Sequence, residues 1–185
     1  MRLAVLCLVL LGACSANESE LVPNGVELKN VTNHVIVAAA AEAEDSAAYY
    51  LSKIDSATAT EVDLQRARPI FIEASTYIGQ DATRLMKAGL VLISGEQDQL
   101  YGVNYLILLS KKFPDHPYAP EALMQLALYF ENSLNDKARS AAFLRTLVDR
   151  YPNHSLVPNA TALLALNGGG EKEELETVKN WLNNK

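Results

Sequence analysis

The sequence predicts an all-α fold: stacked antiparallel helical hairpins that follow a signal peptide and a flexible tether. Three observations carry this. Between about Val35 and Leu166 the apolar residues recur at three- and four-residue spacing, the period of helices that each bury one stripe. Aromatic-Pro pairs end helical runs and a later Pro opens the next run, positions that suit a residue lacking an N–H. A block of the chain recurs 38 residues further on, the mark of a repeat architecture.

The elements follow in chain order. Arg2 precedes an apolar run of about ten residues. That is too short for a bilayer core of about 30 Å and has the length of a signal-peptide h-region. The run ends Leu11-Gly12-Ala13-Cys14, an apolar residue, two small residues and a cysteine. It resembles the lipobox of bacterial lipoproteins. The resemblance implies a signal peptide over 1–13, a diacylglycerol thioether on Cys14 Sγ, cleavage before Cys14 and acylation of the new amine. Two or three acyl chains anchor stably, at about 0.8 kcal/mol per buried methylene. The alternative is an ordinary secretory signal cut after Ala16. Ser15 beside the cysteine implies, by the rule of enteric lipoproteins, the outer membrane, facing the periplasm. The segment 14–35 is polar, with Pro23, Gly25 and four Asn residues between Ser15 and Asn33, and reads as a tether.

The repeat domain spans 36–167. Ala38 to Ala41, then Ala47, Tyr50, Leu51 and Ile54, predict a first helix. A second is expected over about Asp63 to Tyr77, where Pro69 either opens the helix or kinks it. A third covers about Asp81 to Ile93 through Leu85, Ala88, Gly89 and Leu92. Four more are expected over about Asp98–Lys112, Tyr118–Glu131, Asp136–Arg150 and Leu156–Leu166. Leu106-Ile107-Leu108-Leu109 is apolar all round, as in a helix covered on both sides. Gly168-Gly169-Gly170 ends the last of these. A final helix, 171–183, carries Leu175, Val178, Trp181 and Leu182 on one face and would cap the open end of the stack.

The repeat aligns Phe113-Pro114-Asp115-His116-Pro117-Tyr118-Ala119-Pro120-Glu121-Ala122 with Tyr151-Pro152-Asn153-His154-Ser155-Leu156-Val157-Pro158-Asn159-Ala160. At the same offset Tyr105, Leu106 and Leu109 meet Phe143, Leu144 and Leu147. The pattern resembles the tetratricopeptide repeat, whose usual period is about 34 residues. It is closest to the divergent arrays of bacterial outer-membrane assembly and cell-division lipoproteins and coordinators. Two copies stand at about 98–134 and 136–166. A degenerate third covers about 63–97, with Tyr77-Ile78 in place of aromatic-Pro. A single hairpin cannot bury its apolar face, and stacked neighbours can.

Composition narrows the function classes. The 185 residues carry a net charge of −6 and no Lys/Arg-rich stretch, so nucleic acid is not an expected partner. The only cysteines are Cys7 and Cys14, so the body offers no thiol for catalysis, metal or disulfide. His116 and His154 occupy equivalent turns, about 10 Å apart at helix-packing spacing, too far to share a zinc ion. Glu42 and Glu44, or Glu173 and Glu174, read as solvated surface pairs, and neither a P-loop nor a nucleophile elbow appears. No cofactor, metal site or catalytic residue is expected. Tyr118 and Tyr129 are the candidate partner-contacting aromatics.

These readings lead to a lipid-anchored adaptor of the bacterial envelope. Its partners would be other envelope proteins, with the membrane engaged through the lipid on Cys14 and an oligomer allowed. The tetratricopeptide resemblance implies a role in outer-membrane or cell-wall assembly. The alternatives are a self-associating structural lipoprotein and an accessory to a peptidoglycan-acting enzyme.

Overall fold

A computed structural model describes residues 28–166 of the chain, with side chains from residue 36 onward. The signal peptide, Cys14, residues up to 27, Gly168–Gly170 and the expected helix 171–183 lie outside the described residues. Among the described residues eight helices follow one another: α1 Leu28–Asp55, α2 Glu61–Glu73, α3 Ser75–Ile78, α4 Ala82–Ile93, α5 Gln99–Lys112, α6 Tyr118–Asn132, α7 Lys137–Arg150 and α8 Val157–Leu166. There is no strand among the described residues. Residues Met1–Val37 and Ala38–Lys185 group as separate units.

Within the second unit each helix packs on the next, α4 on α5, α5 on α6, α6 on α7 and α7 on α8, so the architecture is a stack of antiparallel helical hairpins. The α4 helix also meets α6 directly. These two therefore share one side of the stack, with α5 on the other.

Two boundaries differ from the sequence expectation. The first helix begins at Leu28 rather than near Val35, so the helical chain takes up residues expected in the tether. Gly25 is the last breaker before it, and no Pro or Gly interrupts the chain again until Pro69. The second helix does not open at Pro69, one of the two expectations; Pro69 lies inside it. It begins at Glu61, where Thr60 and Asp63 form a reciprocal capping box, and runs past the exposed Pro69 to Glu73. Pro69 has no N–H to offer the Gln65 carbonyl, and the helix survives that loss. The break falls at Ala74 (φ −81°, ψ 26°), and α3 follows.

α1 contributes Ala43, Ala47 and Leu51, buried at four-residue spacing. It closes in a left-handed cap. Ala57 has φ 55°, the Thr58 N–H donates to the Lys53 carbonyl at 2.9 Å and the Ala57 N–H to Ile54 at 3.1 Å, the pairing of a Schellman motif. Two ion pairs fasten this end: Lys53 Nζ lies 2.7 Å from Asp63 Oδ2, and Lys87 of α4 pairs with Asp55.

The repeat is exact in backbone detail. Phe113 and Tyr151 end α5 and α7 at near-identical angles (φ −128°, ψ 56° and φ −127°, ψ 54°). Their N–H groups donate to Leu109 and Leu147, and the His116 and His154 N–H groups donate to Phe113 and Tyr151. Each imidazole then accepts from the backbone two residues on: Tyr118 N–H to His116 Nδ1 at 3.2 Å, and Leu156 N–H to His154 Nδ1 at 3.3 Å.

The degenerate copy also keeps the 38-residue register, on residues the aromatic-Pro alignment does not reach. Leu85-Met86 of α4 matches Leu123-Met124 of α6, and all four are buried. Phe71, Leu109 and Leu147 are equivalent and fully buried. Tyr77 lies two positions out of that register, and α3 fills the place of the aromatic-Pro turn. Where α4 crosses α5 the backbones nearly touch: a Cβ on Gly102 would stand 2.4 Å from Ile93 N and 2.7 Å from the Gly89 carbonyl. Only glycine fits there.

Candidate interaction clefts

The expected lipid anchor, Cys14, lies outside the described residues. Tyr118 and Tyr129 are both half-buried against the core. Tyr118 begins α6 with its ring tilted 47° to that of His116, centroids 5.2 Å apart. Tyr129 meets Phe130 edge-on at 5.6 Å, and its hydroxyl donates to Gln99 Oε1 at 2.9 Å. That bond fastens α6 to the start of α5, so the polar end of Tyr129 is engaged within the stack. Of the chain's paired carboxylates, Glu42 is exposed and Glu44 half-exposed on α1. Glu173 and Glu174 lie outside the described residues.

Among the described residues, two open clefts can be assigned linings, and neither lining includes the two tyrosines. The larger, about 530 Å³, lies between α2 and the α4–α5 turn, with Glu61, Gln65, Arg68, Pro69, Glu96 and Asp98 on its walls. Three carboxylates and one guanidinium line it. Arg68 Nε donates to the Val91 carbonyl at 3.4 Å and lies over Gly95, where a Cβ would come within 2.9 Å of it. Asp98 precedes α5 without capping it, unlike its repeat equivalent Asp136, which accepts from the Arg139 N–H at 2.9 Å. Gln65, to whose carbonyl Pro69 cannot donate, is also a lining residue. This cleft is rich in acceptors.

The second cleft, about 300 Å³, is walled by Glu121, Met124 and Gln125 of α6 and by His154, Ser155 and Leu156 of the α7–α8 turn. Because His154 Nδ1 accepts a backbone N–H, the neutral ring carries its proton on Nε2 and acts there as a donor. A carboxylate, an amide and an imidazole N–H thus surround the apolar Met124 and Leu156. Open grooves of this kind suit a length of polypeptide, with side chains seated between the hairpins.

Perturbed ionisation belongs to structural positions. The Lys53 ammonium and the Thr60 backbone and hydroxyl hydrogen bonds hold the Asp63 carboxyl well below the usual carboxylate range. The same Asp63 bond raises Lys53. Burial lowers Lys87. Burial also pushes the Tyr105 phenol up to about 12, while its hydroxyl donates to the Phe71 carbonyl at 2.7 Å.

The sequence singled out neither cleft, although Pro69 and His154, which line one each, stood out in it for turn and helix geometry. Asp98 was within reach, since it stands 38 residues before Asp136. The convergence of Glu61 with Glu96 depends on how α2 packs beside α4, which no periodicity encodes. Among the described residues no His, Cys, Asp and Glu group could hold a metal ion, and no helix is long and apolar enough to cross a membrane. Compared with known proteins, the chain matches no family model, no curated protein and no solved structure.

Proposed function

We propose that the protein is a lipid-anchored adaptor of the bacterial cell envelope. Acyl chains on Cys14 hold one end in the membrane, and the tetratricopeptide-like stack presents its lateral clefts to other envelope proteins, in support of outer-membrane or cell-wall assembly. The observation that carries the reading is the pair of open, polar-walled clefts, each set between a helix and a later inter-helix turn of a regular hairpin stack. The lipobox-like Leu11-Gly12-Ala13-Cys14 supports the anchor, and Ser15 supports the periplasmic face of the outer membrane. The net charge of −6 disfavours nucleic acid as the ligand.

A pull-down from native envelopes, wild type against Cys14→Ala, tests the reading. The wild type should recover a defined set of envelope proteins and fractionate with membranes, and Cys14→Ala should lose membrane fractionation. A variant that stays membrane-bound, together with no co-purifying protein, would sink both the anchor and the adaptor. Self-association is the second reading, favoured by the exposed end of α8, where Leu166 is 78% exposed.

A further inference from the structure

Three residues of the larger cleft depart from what the repeat asks of their positions. Arg68 stands one repeat before Leu106 and two before Leu144, both fully buried, so an arginine takes a core position of the register. Glu96 is equivalent to the exposed Leu134. Asp98 is equivalent to Asp136, which accepts from the Arg139 N–H and pairs with its side chain. Asp98 makes no such cap, and Tyr101 stands where Arg139 would. All three line one cavity of about 530 Å³, within the range of about 300–1,000 Å³ for small-ligand sites.

The Arg68 side chain is seated without using its outer nitrogens. Its Nε donates to the Val91 carbonyl at 3.4 Å, an acceptor that the Ser94 hydroxyl also serves at 2.9 Å. Gly95 makes room for it, since a Cβ there would stand 2.9 Å from Nε and 3.2 Å from Cζ. Among the described residues Nη1 and Nη2 of Arg68 have no hydrogen-bond partner, and no ion pair joins Arg68 to Glu61, Glu96 or Asp98. Opposite charges are thus kept apart within one cavity. A lone cation bound there would meet the guanidinium, and a lone anion would meet three carboxylates. A group that carries both charges on one carbon suits both sets.

We propose that this cleft binds an α-ammonium carboxylate, the zwitterionic end of an amino acid, with Arg68 taking the carboxylate and Glu96 and Asp98 the ammonium. Its source is a free amino acid or a diamino-acid side chain of a short peptide. Binding here rests on the adaptor reading only in sharing its surface. It is read on the purified protein, so its absence would leave the capture of envelope proteins standing.

Isothermal titration calorimetry on the full chain in detergent provides the test. Two probes carry the zwitterion: free alanine, and an end-blocked tripeptide with 2,6-diaminopimelate at its centre. Each has single-charge controls, alaninamide and N-acetylalanine for the first, lysine and glutamate in the central position for the second. One or both zwitterions should bind roughly tenfold or more tighter than their controls, and which of them binds gives the source. Asp98→Asn, which breaks no hydrogen bond seen in the fold, and Arg68→Gln should each weaken that binding roughly tenfold, with folding checked by circular dichroism. No binding of either zwitterion overturns the proposal. So does a single-charge control that binds as tightly as its zwitterion, which would leave one sign of charge to account for the affinity. Unchanged binding by folded Asp98→Asn also overturns it, whatever Arg68→Gln does to the fold.

Discussion

The Tyr151 hydroxyl donates a 2.7 Å hydrogen bond to the carbonyl of Pro114, joining the turn that follows α7 to the equivalent turn after α5, one repeat earlier. These two repeats are therefore held by a polar bond at their ends as well as by the apolar seam between helices. Burial pushes the Tyr151 phenol up, which keeps it protonated as the donor. Tyr151→Phe keeps the ring and removes the bond. Its expected cost is about 1 kcal/mol, a fall of about 2–4 °C in Tm for a chain of this size. Thermal unfolding of the pair of proteins checks it; an unchanged Tm would mean that water replaces the bond without loss.

Gly102→Ala should be the most damaging small substitution at the α4–α5 crossing. Its Cβ would meet backbone atoms, Ile93 N at 2.4 Å, and neither helix can yield without moving whole. A loss of roughly 3 kcal/mol, the upper end for overpacking, is expected. Gly89→Ala presses instead on the Leu106 side chain at 2.9 Å, which can change rotamer, and should cost roughly 1 kcal/mol. Urea titration of both variants gives the order; a reversed order would refute the close crossing.

Ala57→Gly should stabilise. Ala57 holds φ 55° in the cap that ends α1, a conformation costing an L-residue about 1–2 kcal/mol. Glycine removes that strain but is more flexible when unfolded. The net gain should be about 0.5–1 kcal/mol, read as a higher urea midpoint. Asn135, with φ 51°, is a residue type that tolerates this region, and Asn135→Ala should destabilise.

Asp63 gives the stability an acid limb. Its folded pKa is depressed, so the folded state favours the carboxylate. The contribution is present above the unfolded value of about 3.9 and is lost as pH falls toward the folded value. Lys53 is shifted the other way. Its contribution is present below the ordinary lysine value and is lost as pH rises through the raised one. Asp63→Asn should flatten the fall in urea midpoint between neutral pH and about pH 3. An equally steep fall in the variant would place the acid sensitivity elsewhere.

Charge reversal in the larger cleft tests the adaptor surface. Glu96→Lys with Asp98→Lys should weaken capture of envelope partners that Cys14→Ala, solubilised in detergent, still retains. Both side chains are outside the core, so Tm should change little. Undiminished capture by a folded variant would move the binding surface off this cleft.

Much of the fold was legible from the chain alone. The five described helices from Asp81 onward begin and end within two residues of their expected places, because Pro, Asp and aromatic-Pro signals act locally. The half-buried Tyr118 and Tyr129 were picked out by residue type, but the engagement of the Tyr129 hydroxyl with Gln99 was not. That bond joins residues 30 positions apart, and side-chain reach across helices leaves no local trace.

The sequence by itself determined the all-α class, the 38-residue repeat and the order of hairpins, since helical periodicity and turn chemistry depend on near neighbours. The tertiary structure decided the rest. It set the register of the first repeat through Leu85-Met86, kept α2 continuous through Pro69, and brought Glu61, Arg68 and Asp98 around one cleft. Each outcome is a choice among packings that local propensity leaves nearly equal, and burial against a particular neighbour selects between them.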